Sequence, residues 1–366
     1  MIYFDNAAST PIDDNVRESI IDCLSLYGNP SSVHEAGIMA NDIIEKTKIK
    51  ISKYLNCLPE EIYFTSGATM SNSCAVLGTA DVLITSSIEH NDIIEMAESF
   101  DEHYTVGIDR TTGLIKEDEL CDLLNYLDTE NKICVVSIQC ANSESGVIQN
   151  IERITSIVHT YKNCILHTDA TQYIPYYPID VKQMGIDMLS MSGQKINCIK
   201  GIGILYVKKN IPIKKVIYGE QGLVGGTPAV PLIAGLGTAF DNLSENILFS
   251  KRQIESMRDY ILDELMKIGF HLVGTKSNRL YNNIYGYFDG IDGLNLVYLL
   301  NDYGICIGTG SACSTISTTP SHVAMAYLQN EQKANECIRI TLGKQNTWEE
   351  VDKFINITKG LIKTLL

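Results

Sequence analysis

The 366-residue chain carries 29 basic and 44 acidic side chains, a net charge of −15, with 45% hydrophobic and 20% charged residues. These are globular values, with length enough for about two cores, which excludes a disordered chain, a collagen-like repeat and a small disulfide scaffold. The acidic balance argues against a nucleic-acid or anionic-membrane binder, since like charges repel.

The start, Met1-Ile2-Tyr3-Phe4-Asp5, has neither the basic nor the apolar segment of a signal peptide, and no apolar run approaches the ~18 residues of a membrane span. A cytoplasmic protein with no membrane contact is expected. Val16, Ile20, Cys23, Leu24 and Tyr27 recur at helical spacing until Gly28-Asn29-Pro30-Ser31-Ser32 breaks the pattern. Met39, Ile43, Ile51 and Leu55 predict a second amphipathic helix. Short apolar runs follow at 62–65, 82–85, 133–139, 165–168, 188–191 and 203–207, several separated by helical stretches. That alternation predicts an α/β fold with a mostly parallel sheet covered by helices. A mostly helical stretch covers 230–269, and its charged part at 245–252 marks the expected domain boundary. Strands at 270–273, 283–288, 305–308 and 338–342, a helix at 294–303 and a last helix from Thr347 predict a smaller α+β unit. The expected division is a large domain over 14–246 and a small one combining 1–13 with 247–366.

Eleven cysteines include no Cys-x-x-Cys pair, so zinc-ribbon and thioredoxin-type sites are excluded and no metal site is expected. Most should be reduced and packed as small apolar residues, and the odd count leaves room for one working thiol.

The chemistry is carried by two strand ends. One strand runs from Cys164 to Asp169, with Gln172 beyond it; another runs from Asp187 to Ser192 and leads to Gly193, Gln194 and Lys195. Alone, Asp169 reads as a turn cap and Lys195 as a surface lysine. Together, at the carboxyl ends of strands where α/β sheets bind ligands, they suit pyridoxal phosphate. A lysine forms a Schiff base with a carbonyl cofactor, and a carboxylate keeps a pyridine nitrogen protonated. Upstream, Phe64-Thr65-Ser66-Gly67-Ala68-Thr69 joins a strand to a helix whose free N–H groups suit a phosphate. No Walker lysine and no G-x-G-x-x-G motif is present, which disfavours ATP and NAD.

At this point the chain resembles the cysteine desulfurases of the NifS/IscS type, in the class V aminotransferase group of fold-type I pyridoxal phosphate enzymes. The resemblance runs nearly end to end. It rests on Tyr3-Phe4-Asp5-Asn6-Ala7-Ala8-Ser9-Thr10-Pro11, Gly28-Asn29-Pro30-Ser31-Ser32, Thr65-Ser66-Gly67-Ala68-Thr69, Glu89-His90 and the segment from Asn142 to Val147. It continues with the segments from His167 to Gln172 and from Ser192 to Lys195, then Lys200-Gly201-Ile202-Gly203, Gly310-Ser311-Ala312-Cys313 and the segment from Ile338 to Gly343. It implies a seven-stranded mixed sheet in the large domain and a homodimer. Lys195 would hold the cofactor and move protons, Asp169 would pair with the pyridine nitrogen, Gln172 would bond the ring oxygen and His90 would stack on the ring. Ala68, Thr69, Ser192 and Gln194 would hold the phosphate, joined by Thr227 from the partner subunit. Asn142 and Arg339 would bind the substrate carboxylate, the guanidinium fork matching it. Cys313, in the Gly/Ser/Thr-rich stretch 308–320, would take sulfur from L-cysteine as a persulfide, release alanine and pass sulfur to a protein acceptor. That acceptor would be an iron–sulfur scaffold or a tRNA-thiolation protein. Such a stretch is expected to be exposed and mobile.

Four positions depart from the family pattern. Gln194 stands for a histidine, Met70 for an acid, Cys198-Ile199 for Gly-Pro and Val224 for an arginine. The first and last remove positive character, and weaker cofactor retention or altered partner contacts are the expected consequence. A selenocysteine lyase, another β-lyase on the same cofactor and a degenerate non-catalytic paralogue stand as alternatives.

Overall fold

A computed structural model describes residues 1–127, 132–219, 222–310 and 319–365, without side chains over 244–250. The elements run β1 (Ile2–Tyr3), α1 (Asp14–Cys23), α2 (Glu35–Leu55), β2 (Ile62–Thr65), α3 (Ala68–Thr79), β3 (Val82–Ser86), α4 (Asn91–Ala97), β4 (His103–Val106), α5 (Glu117–Leu127), β5 (Cys134–Ser137), α6 (Ile151–Val158), β6 (Cys164–Asp169), β7 (Met188–Ser192) and β8 (Gly203–Val207). After the long α7 (Val230–Met266) come β9 (Phe270–Leu272), β10 (Asn283–Phe288), α8 (Gly293–Asp302), β11 (Ile305–Cys306), α9 (His322–Leu328), α10 (Glu331–Asn335), β12 (Cys337–Thr341) and α11 (Trp348–Leu365).

Seven strands form one sheet in the order β2-β8-β7-β6-β5-β3-β4. The β7–β6, β6–β5, β5–β3 and β3–β4 pairs are parallel, while β8 lies antiparallel to both neighbours. The mostly parallel mixed sheet is therefore present. Strands β3, β5, β7 and β8 are buried at every residue, as expected for strands covered on both faces. At the edge, β4 exposes His103 and Thr105. A three-stranded antiparallel sheet, β12-β10-β9, and the short parallel pair β1–β11 lie outside it.

Helix α2 buries Ile51 and Leu55 on the expected face, but its first half turns by one residue: Ala40 and Ile44 are buried, whereas Met39 is exposed. Helix α1 stops at Cys23, and Leu24 and Tyr27 lie beyond it in solvent.

Two large apolar clusters organise the chain. One gathers α1, α2 and the seven-stranded sheet with Val230 to Phe240; the other gathers Ile2, Phe4, Ile254 to Leu265 and the last strands and helices. The boundary expected near 246 falls inside α7, which runs unbroken for 37 residues and contributes to both. Among the described residues, no helix is long and apolar enough to cross a membrane.

Phe4 is fully buried and packs edge-on against Phe354, with ring centroids 5.5 Å apart, which ties the amino-terminal segment to α11. Phe4→Ala should cost about 3–5 kcal/mol, through lost transfer energy and the cavity left behind. Urea unfolding measures it; a cost below about 1 kcal/mol would show that the site collapses around the gap.

Candidate active site

Strands β2, β3, β5, β6 and β7 all point their carboxyl ends at one edge of the sheet. The turns leaving that edge line a cavity of about 350 Å³, which carries Ala68 and Thr69 after β2, Glu89 and His90 after β3, Gln139 after β5, Asp169 and Gln172 from β6, and Ser192, Gln194 and Lys195 from β7.

The β2–α3 turn is shaped by two glycines. Gly67 has φ 155° and ψ −179°, a conformation essentially reserved for glycine, and starts α3 at Ala68. Gly203 on β8 lets it approach: a Cβ there would lie 2.7 Å from Gly67 Cα and 2.6 Å from Met191 O. The first N–H groups of a helix have no partner within it, so this turn is a natural cradle for an anion.

Lys195 Nζ donates to the carbonyls of Ala7 at 2.7 Å and Ala8 at 2.5 Å, and Gln172 Nε2 donates to Ala7 O at 2.9 Å. The amino-terminal segment thus covers the lysine. Asp169 Oδ1 accepts from Thr171 N at 2.8 Å, and its Oδ2 accepts from Asn72 Nδ2 at 3.0 Å. Asn72 is fully buried, and its Oδ1 has no partner among the described residues.

His90 caps α4. Its Nδ1 lies 2.9 Å from Asp92 Oδ1. Burial alone would lower the imidazole, but Asp92 outweighs it and holds His90 above its ordinary value. Asp92 is pushed up by its own burial yet held low overall by His90, Thr69 and Asn72. Burial pushes the Glu89 carboxyl up to about 8, with Asp169 and Asp92 acting the same way; the Ser86 hydroxyl at 2.5 Å and the Gln139 N–H at 3.0 Å offset this only in part. His167 sits beneath the site between Ser137 and Ser190 hydroxyls, and burial lowers it to about 4, which keeps it neutral.

Arg339 reaches the cavity from β12. It is 2% exposed. Nη1 donates to Ser143 O and Gly310 O at 3.1 and 3.0 Å, and Nη2 donates to Asp5 Oδ1 at 2.9 Å. Nε is buried without a partner among the described residues. An unpaired buried N–H is costly, and the two terminal nitrogens are committed to Ser143, Gly310 and Asp5.

Nine residues singled out in the sequence therefore share one cavity: Ala68, Thr69, His90, Asp169, Gln172, Ser192, Gln194, Lys195 and Arg339. Asn142 is not brought to it. Its Nδ2 donates to Ile88 O at 2.8 Å, and its Oδ1 accepts from Glu144 N, Ser145 N and Ser145 Oγ. Thr227 is exposed and lines an adjoining cavity of about 640 Å³ with Pro30, Ser31 and Lys48, which shares Ser66, Met70 and Gly201 with the first. Cys313 lies outside the described residues. Asp5, Asn72, Glu144 and His322 gain their places only through tertiary contacts, although Asp5 and Glu144 stand inside motifs that carry the resemblance.

The set fits pyridoxal phosphate: an amine, a buried carboxylate, a glycine-shaped helix start and a guanidinium side chain line one space. The comparisons agree. Residues 2–354 match the family described as Aminotransferase class-V. The chain belongs to the class-V aminotransferase family, whose members depend on pyridoxal phosphate in general. Within it, the chain is 35% identical to the cysteine desulfurase IscS of Methanosarcina thermophila, over 100% of this chain and 92% of that protein. A solved NifS-like protein superposes with a TM-score of 0.91 at 33% identity, covering 99% of both chains. SspA, solved in complex with cysteine, does so at 0.81 and 32%, covering 95% of this chain and 100% of the other.

Glu89 generates a pH prediction. Its folded value near 8 stands above the ordinary 4.5. Between those values the folded chain holds a proton that the unfolded chain has released, so stability falls as pH rises, by up to about 1.4 kcal/mol per unit. In cofactor-free protein unfolded by urea between about pH 5 and 8, Glu89→Gln should remove that slope. Parallel curves for variant and wild type would refute it.

Proposed function

We infer that the chain is a cysteine desulfurase that converts L-cysteine to L-alanine and receives the sulfur on Cys313. The observation that carries this reading is the meeting of Lys195, Asp169, Gln172 and His90 with Arg339 in one cavity. When bound, pyridoxal phosphate supplies an electron-accepting ring that stabilises negative charge at the substrate Cα.

The chain's own residues do the rest. Asp169, fixed by Thr171 N and Asn72, holds the ring nitrogen. Ala68, Thr69, Ser192 and Gln194 hold the phosphate. Arg339 takes the substrate carboxylate, and Asn142 would contribute only if its amide leaves Ile88 O and its own turn. Lys195 removes the Cα proton and returns it to the product, and His90, paired with Asp92, assists as a proton donor. The Cys313 thiolate attacks the substrate Sγ. An S–S bond forms as the substrate Cβ–Sγ bond breaks, and the pair from the broken bond stays with the carbon skeleton, which takes up protons to become alanine. Thiol and cysteine give persulfide and alanine, so the step needs no external oxidant. The persulfide sulfur then passes to a protein acceptor.

The working unit in this reading is a cytoplasmic homodimer, with Thr227 joining the partner's phosphate site. Its exposure supports that arrangement. The large domain spans 14–246 and the small one 1–13 with 247–366, consistent with the two apolar clusters.

Cofactor-loaded protein given L-cysteine and a thiol reductant should release sulfide and alanine in equal amounts, and Lys195→Ala or Cys313→Ala should abolish both. Cysteine turnover that survives Cys313→Ala would instead indicate simple β-elimination.

The phosphate end of the cavity has Gln194 where a charged donor would strengthen anion binding. Gln194→His should tighten cofactor retention by about tenfold, the scale of one charge-assisted bond. Equilibrium dialysis against pyridoxal phosphate reads it, and unchanged retention would show that the helix start alone sets the affinity.

A further inference from the structure

One carboxylate at the cavity rim has no part in the reaction described above. Glu144 is 2% exposed and sits in the turn after β5. Its backbone is fixed, since its N–H donates to Asn142 Oδ1 at 3.0 Å and its carbonyl accepts from Asn283 Nδ2 at 2.9 Å. Its Oε2 accepts from Tyr285 Oη at 3.0 Å and from Ser321 Oγ at 2.6 Å. Ser321 in turn caps α9, accepting from Val323 N and Ala324 N.

The other side of the same oxygen meets Gly310. A Cβ at Gly310 would lie 2.3 Å from Glu144 Oε2 and 3.0 Å from Ser321 Cβ. Gly310 and Ser321 flank the stretch that holds Cys313, and both close on this one carboxylate. Gly310 is held from behind as well, through its carbonyl on Arg339 Nη1 at 3.0 Å and the paired backbone bonds between Gly308 and Arg339. An alanine or serine at 310 would not fit against an acid at 144, and an apolar residue at 144 would leave the hydroxyls of Tyr285 and Ser321 without their acceptor.

We propose that Glu144 is a positioning residue for sulfur transfer, tying both ends of the Cys313 stretch to the cavity rim without itself binding cofactor or substrate. The inference rests on the desulfurase reading. Held ends restrict where a thiol between them can travel, and misplacement by an ångström is enough to cost about a hundredfold in a group transfer. Tyr285 comes from β10 and Glu144 from the turn after β5. The tie therefore links Ser321 to elements of both sheets.

The test uses the cofactor-loaded full chain as wild type, Glu144→Gln, Glu144→Ala and Gly310→Ala. Gly310→Ala breaks the contact while leaving the carboxylate in place. The first readout needs no reaction: amide hydrogen exchange without substrate. In Glu144→Ala and Gly310→Ala, peptides over 305–325 should exchange about tenfold faster, and those over 62–79 should not change. Glu144→Gln keeps an acceptor for Ser321 and should lie between. The second readout separates cofactor chemistry from transfer. The change in cofactor absorbance on adding L-cysteine should keep its half-saturation within about twofold, while single-turnover persulfide formation on Cys313, read by mass spectrometry, falls about tenfold to a hundredfold.

Unchanged exchange over 305–325, or a rise spread over the whole chain, would overturn the tie. A persulfide rate equal to wild type, or a cysteine response that weakens in step with it, would overturn the positioning role. A wild type that forms no persulfide on Cys313 would refute the desulfurase reading and the transfer role with it, and the exchange experiment would still decide whether Glu144 holds the two ends.

Discussion

The buried guanidinium of Arg339 is the interaction on which the site depends. One side chain holds the amino-terminal segment through Asp5, the turn after β5 through Ser143 and the end of the β11 segment through Gly310. These pieces are far apart in sequence, and this one side chain bonds all three at once. A buried charge is costly unless paired and bonded. Here Asp5, only 2.9 Å away, supplies the pairing. The same residue lines the cavity, so the group that gathers the site also sets its positive charge beside whatever enters.

The seven-stranded sheet supplies the other half. Inserting β8 antiparallel between β2 and β7 makes the β7–β8 connection a short excursion at the carboxyl edge, and that excursion holds Ser192, Gln194 and Lys195 where the other turns converge. The same reversal brings Gly203 against Gly67. Sheet topology and anion cradle are thus one packing problem, solved by two residues without side chains.

Much of this is legible in the sequence, and the reasons are physical. Buried strands announce themselves as unbroken apolar runs, so the run at 203–207 coincides with β8. β4 reads His103-Tyr104-Thr105-Val106, with only Val106 fully buried, and goes unseen because an edge strand carries no such signal. β1 goes unseen because two residues have no periodicity. Its partner β11 lies near the other end of the chain, Ile2 pairing with Ile305 and Tyr3 with Cys306, and only the fold brings them together. Residues on the turns can be named from their motifs. What motifs do not show is how polar atoms are shared. Asn142 reads as free to meet a substrate, yet its amide is committed, through Nδ2 to Ile88 O and through Oδ1 to its own turn. The replacement at Val224 is absorbed as packing, since it joins the apolar cluster around Leu223.

Helix α7 has a mechanical consequence. At 1.5 Å per residue its 37 residues reach about 55 Å, and both apolar clusters use it as a wall. A flexible linker would let two cores drift and melt separately. A shared strut couples them: loosening either core frays a helix on which the other is built. The chain should therefore lose its structure in a single cooperative event, and any swing of one core against the other must be taken up as bending of one rod.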